Sequence, residues 1–169
     1  MDKDYVWYAC YGSNLSSKRF KCYIEGGLCE ENGRNYGGCY SDKSLWIDSK
    51  VSKFPGRIFF ANNSGSWDGK GVAFYDPDAE GEVIMRLYKI TKEQLDEVQE
   101  QEGPGQRWYG RKINLGTEDD GCQIYTITNG VHIDCNDPSP KYVSLIKKAL
   151  IEECNLSEEE AGAYLDSAL

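Results

Sequence analysis

Two places in this chain combine residue types that could carry chemistry. The first is Gly12-Ser13-Asn14, directly after the apolar run Tyr5-Val6-Trp7-Tyr8-Ala9-Cys10. That run has the composition of a buried strand. Glycine takes positive φ freely, asparagine tolerates it, and short Ser and Asn side chains bond to nearby backbone. A strand thus delivers the chain to a tight turn whose N–H groups can point outward together. Such a concavity suits a carboxylate or a developing oxyanion. The same residues also read as an ordinary strand-end turn.

The second place is Glu102. Thr91-Lys92-Glu93-Gln94 is a capping box that opens a helix, and Gly103-Pro104-Gly105 ends it. Glu102 follows Leu95 by seven positions and Val98 by four, so at about 100° per residue it falls on the apolar face. Glu97, Glu100 and Gln101 are displaced toward solvent. The last turn of a helix presents partial negative charge. Burial and that dipole both disfavour ionisation, so the Glu102 pKa should rise into the range useful for general acid–base catalysis. The alternative is that Glu102 frays outward with the last turn.

Other candidates are weaker. Cys10 could serve as the nucleophile of a hydrolase, with His132, the chain's one histidine, as base; but a thiol in an apolar strand is usually inert. Ser13 as nucleophile fares similarly. Cys22, Cys29 and Cys39 share one Gly-rich segment, yet their spacing fits no common zinc site. The seven cysteines include no CxxC, and they read as reduced packing residues. No metal or cofactor is expected. Trp46, Trp67 and Trp108 could form an exposed binding wall, although aromatic residues in such numbers more often build a core.

The elements that must position these residues read as follows. Phe20, Tyr23 and Ile24 fall at helical spacing after Ser16-Ser17. Residues 26–44 read as a long irregular loop. Strands are expected over 57–61, broken at Asn62, then over 70–75, 82–88, 108–115 and 122–128. Ser139-Pro140 opens a helix through about Glu153, and Ser157 caps a last one. The class is α+β, with a mixed, barrel-like β-sheet flanked by helices. Residues 1–169 read as a single domain.

The formal charge of −9 argues against a nucleic-acid surface. Lys18-Arg19 and Lys147-Lys148 read as solvated surface, so any anion site must be local. No apolar run reaches the roughly 20 residues that cross a bilayer, and the N-terminus lacks a signal-peptide pattern. A soluble cytoplasmic protein, without membrane contact, is expected; the sequence leaves its oligomeric state open.

Tyr11-Gly12-Ser13-Asn14-Leu15 is similar to the N-terminal glycine loop of the gamma-glutamylcyclotransferase-like family, and Gln99-Glu100-Gln101-Glu102-Gly103 resembles its Glu-Gln-Glu-Gly segment. Tyr109, Tyr125 within Cys122-Gln123-Ile124-Tyr125, and Pro138-Ser139-Pro140-Lys141-Tyr142 match further positions in order. The resemblance implies Glu102 as catalytic acid–base, with substrate bound by Tyr11, Gly12, Ser13, Asn14, Leu15, Tyr109 and Tyr125. It implies release of 5-oxoproline and a free amine from a gamma-glutamyl compound by intramolecular cyclisation. Residues 21–50 depart from the pattern, which leaves the amine open: amino acid, glutathione, amine or secondary metabolite. The acidic surface mildly favours a leaving amine that is neutral or cationic elsewhere. The alternatives are a non-catalytic small-metabolite-binding module on the same fold and a Cys10-dependent hydrolase.

Overall fold

The computed structural model describes residues 3–30 and 33–169. In chain order the elements are strand β1 (Tyr5–Cys10), helix α1 (Ser17–Glu25), the two-residue strands β2 (Gly27–Leu28) and β3 (Asn35–Tyr36), β4 (Asp48–Pro55), β5 (Arg57–Ser64), β6 (Lys70–Asp76), β7 (Glu82–Thr91), α2 (Lys92–Glu102), β8 (Arg111–Thr117), β9 (Gln123–Thr128), α3 (Pro140–Glu152) and α4 (Glu158–Asp166). The main sheet runs β4-β7-β1-β9-β8. It is mixed: β1 pairs antiparallel with β7 and parallel with β9.

The apolar run of β1 follows from its place in the middle of that sheet, covered on both faces. Alternate side chains divide between two cores. Trp7, Ala9 and Tyr11 join Phe60, Phe74, Ile146 and Leu150. Val6, Tyr8 and Cys10 join Phe20, Ile24, Leu95 and Val98. Helices α1 and α2 therefore cover one face, and the β5–β6 hairpin with α3 covers the other. The hairpin is a separate two-stranded sheet. The described residues form an α+β fold with an open mixed sheet, and the expected barrel is not closed.

Three local differences from the sequence reading have physical causes. Strand β4 was not expected: Asp48-Ser-Lys-Val-Ser-Lys-Phe-Pro is too polar to read as a strand. It is an edge strand, mostly exposed, paired along its length with β7 and ending on Pro55, a residue tolerated at an edge. Strand β5 does not break at Asn62. It bulges there, with Asn62 at φ 64°, and continues to Ser64. Strand β8 starts at Arg111 rather than Trp108. Trp108 and Tyr109 belong to a turn closed by N–H bonds from Trp108 to Gly105 O at 2.9 Å and from Tyr109 to Gly103 O at 2.9 Å. The described residues of segment 26–44 are irregular apart from the β2–β3 pair. The caps form as expected: Thr91 and Gln94 make the reciprocal box of α2, Ser139 caps α3, and Ser157 caps α4.

Among the described residues no helix is long and apolar enough to cross a membrane.

Candidate active site

The loop after β1 is anchored before it turns. The Tyr11 hydroxyl donates to Ile127 O at 2.7 Å, and the Leu15 side chain is wholly buried. Ser13–Leu15 forms one 3-10 turn, with Leu15 N–H bonded to Gly12 O at 3.0 Å. Gly12 has φ −113°, and Asn14 is not in the positive-φ region either. Space is tight at position 12: an added Cβ would lie 3.2 Å from both Ala73 Cβ and the Tyr142 hydroxyl, which would have to give way slightly.

Glu102 ends α2, where Gly103 at φ 106° closes the helix through its N–H to Gln99 O and Glu100 O. Asn14 Nδ2 donates to Glu102 Oε1 at 2.7 Å. The Tyr23 hydroxyl also hydrogen-bonds this carboxylate. Burial pushes the Glu102 carboxyl above its ordinary range; the Arg19 charge and the two hydrogen bonds pull the other way and do not cancel it. By area Glu102 is only half-buried. The two descriptions are compatible because its open side faces a cavity, while dense protein surrounds the rest.

That cavity, of about 780 Å³, is lined by Ser13, Arg19, Tyr23, Trp67, Glu102, Tyr109 and Tyr142 among others. A recess of about 30 Å³ adjoins Glu102 between Tyr8, Tyr11, Asn14 and Tyr109. The Tyr109 hydroxyl donates to Ala73 O at 2.7 Å, and its ring stacks on Phe74 with centroids 4.8 Å apart. Tyr11, Gly12, Ser13, Asn14, Glu102 and Tyr109 thus converge. Leu15 and Tyr125 line neither space. Leu15 packs into the core, and Tyr125 lies under Lys112, whose Nζ sits 5.7 Å from the ring centroid.

Arg19, Tyr23 and Tyr142 line the cavity although the sequence reading did not single them out as site residues. Arg19 is a correction, since it is 4% exposed rather than solvated. The signal was present in its spacing. Arg19 and Tyr23 are separated by four and flank Phe20 and Ile24, the buried face of α1. Glu97 is a second correction. It is buried because residues 38–44 fold over α2, and it accepts bonds from Ser41 N–H and the Ser41 hydroxyl.

The rival nucleophile lacks a base. Cys10 is buried, its thiol directed at Arg86 O at 3.4 Å and pushed well up by burial, while His132 is exposed beside Asp134. Trp67 and Trp108 line the cavity, whereas Trp46 packs on Phe20 and Tyr88, so the three tryptophans form no common exposed wall. Among the described residues no group of three or more His, Cys, Asp and Glu side chains is placed to hold a metal.

No family model matches the chain. It is similar to histone deacetylase 5 of Arabidopsis thaliana, 32% identical over 204 residues, an alignment that takes in 97% of this chain and 31% of that protein. The chain thus spans about a third of the length of the curated relative it matches. Three solved structures share its architecture. An uncharacterized protein from Homo sapiens superposes with TM-score 0.70 at 20% identity, covering 96% of this chain and 89% of the other. A gamma-glutamyl cyclotransferase gives 0.66 at 21%, covering 95% and 88%. YkqA from Bacillus subtilis gives 0.63 at 17%, covering 98% and 55%. The fold is therefore gamma-glutamylcyclotransferase-like, and the resemblance carried by the glycine loop and the Glu-Gly segment holds at the level of the fold.

Proposed function

We propose that the protein is a gamma-glutamylcyclotransferase, releasing 5-oxoproline and a free amine from a gamma-glutamyl compound. The observation that carries this reading is the 2.7 Å hydrogen bond between Asn14 of the glycine loop and Glu102, on the wall of a cavity large enough for such a substrate. The likeness to a solved gamma-glutamyl cyclotransferase supports the fold it requires.

In this mechanism Glu102, as carboxylate, takes a proton from the substrate's α-ammonium. The amine attacks the side-chain carbonyl carbon, and a five-membered ring closes with the proximity supplied by the substrate itself. The C–N bond to the leaving amine then breaks as Glu102 returns its proton to that nitrogen. The ring nitrogen gives up its second proton, which solvent carries to the freed amine, so that 5-oxoproline and an ammonium product result. One carboxylate with a raised pKa performs both transfers. Loop N–H groups around Gly12–Asn14 hold an anionic group of the substrate, and Tyr109 walls the site. No metal or cofactor enters the scheme. The leaving amine faces the divergent segment 21–50, which contributes Tyr23, Arg34 and Tyr36 to the cavity wall. Residues 1–169 act as one catalytic unit, and the cytoplasm is the compartment this chemistry suits.

The test is incubation with a panel of gamma-glutamyl amino acids and amines, with 5-oxoproline as readout. Turnover should require a free α-amine. An N-acylated gamma-glutamyl compound that reacts as fast as the free one would replace cyclisation with hydrolysis.

A further inference from the structure

The Arg19 side chain is nearly inaccessible, at 4% exposure, yet it lines the cavity. Its Nε donates to Ser13 Oγ at 2.8 Å, and one terminal nitrogen lies 3.8 Å from Cys29 Sγ, a weak acceptor. A guanidinium carries five N–H donors, so these contacts leave donors over. Among the described residues Arg19 forms no ion pair with a carboxylate, in contrast to Arg86, which pairs with Glu153. Aromatic faces enclose it instead: the ring centroids of Tyr23, Tyr36 and Trp67 lie 5.8, 5.8 and 5.5 Å from its Cζ. Glu102 is the carboxyl whose charge Arg19 feels across the cavity, without a direct pair between them, and a buried cation that no carboxylate bonds directly is costly.

A second group is unmatched. Asn14 Oδ1 is buried and has no hydrogen-bond partner. Asn14 lines the recess, Arg19 lines the cavity, and Glu102 lines both. An orphan acceptor and a cation with spare donors, arranged about one carboxylate, complement a ligand that carries both an ammonium and a carboxylate.

We infer that Arg19 is the carboxylate-binding, specificity-determining residue of this cavity. The inference takes the gamma-glutamyl reading as the source of the ligand. The planar fork of Arg matches a carboxylate in two parallel bonds, which a lysine cannot reproduce. The carboxylate comes either from the α-carbon of the gamma-glutamyl head or from the leaving amine. The second source would reverse the expectation, drawn from surface charge, of a neutral or cationic leaving group; the first leaves it standing.

Calorimetric binding tests this with chain carrying Glu102→Gln, so that turnover does not interfere. Two ligand pairs each differ by one carboxylate: 5-oxoproline against its primary amide, and gamma-glutamylalanine against gamma-glutamylethylamine. The expected result is that the carboxylate member of at least one pair binds tenfold or more tighter than its neutral partner. Arg19→Gln should abolish that preference and Arg19→Lys weaken it, with the neutral ligand unaffected and circular dichroism unchanged. A preference in the first pair assigns Arg19 to the head; one in the second assigns it to the leaving amine. Equal affinities within both pairs overturn the inference even if the Arg19 variants do not fold. So does a preference that survives Arg19→Gln, and so does failure of both carboxylate ligands to bind. Because binding is read, a wild-type protein that releases no 5-oxoproline would count against the proposed reaction and leave this measurement intact.

Discussion

Asn14 Nδ2 donates to Glu102 Oε1 across 2.7 Å, tying the loop after β1 to the last turn of α2 over 88 residues of sequence. The bond favours the ionised carboxylate, against the burial that raises its pKa. Asn14→Ala removes the donor, so the Glu102 pKa should rise further. Asn14→Asp adds a like charge and should raise it more. The acid limb of kcat/KM should move to higher pH in the order wild type, Asn14→Ala, Asn14→Asp. A pH profile of the three proteins decides this; an unmoved limb would mean that Asn14 does not act on the proton carrier.

The same raised pKa has a consequence for stability. Folded protein binds the Glu102 proton more tightly than unfolded chain, so the contribution is fully present below the ordinary carboxylate range. It is lost as pH rises through the raised folded value. Glu102→Gln has no such loss. Its melting temperature should therefore exceed that of wild type at neutral pH, and the gap should close in acid. Asp42 and Asp120 are drawn down to about 2, chiefly by hydrogen bonds from Lys3 and Lys89, and titrate alike in both proteins. Thermal melts across pH that show no gap at neutrality would contradict this.

Gln94, Glu97 and Gln101 strap segment 38–44 onto α2. Gln94 Nε2 donates to Asp42 O and Ser44 O, both at 2.9 Å, and Gly38 N–H reaches Gln101 Oε1 at 3.3 Å. Glu97 accepts from Ser41 N–H at 3.1 and 3.2 Å. Glu97→Ala leaves that N–H without its charged acceptor, a loss of about 1.5–3 kcal/mol locally. Hydrogen exchange in residues 38–44 should accelerate by one to two orders of magnitude, and KM should rise more than kcat falls. Unchanged exchange would show that the strap is held elsewhere.

Much of the site was legible because it depends on short-range pattern. The spacing of Leu95, Val98 and Glu102 placed the carboxylate on the inward face, and the run ending at Cys10 placed the loop. What sequence could not supply was the covering layer. Glu97 is buried because residues 38–44 cross over it, and Arg19 because the rings of Tyr23 on its own helix and of Tyr36 and Trp67 from elsewhere in the chain close around its guanidinium. Strand β4 gave no apolar signal because edge position, not burial, makes it a strand. Tyr125 shows the limit of strand parity. It lies opposite Tyr8 in the β1–β9 register and in the same core, yet Tyr8 borders the recess and Tyr125 does not. Alternation fixes the face of a sheet, not the distance across it from one strand to the next.

One rate decides whether Glu102 carries the proton. Glu102→Gln keeps the shape of the side chain and removes its ability to exchange a proton. On a gamma-glutamyl compound that wild type converts to 5-oxoproline, with circular dichroism showing the variant folded, kcat/KM should fall by about 10²–10⁴-fold. A variant that releases 5-oxoproline at close to the wild-type rate would contradict the assignment of Glu102 as the proton carrier, and with it the proposed mechanism.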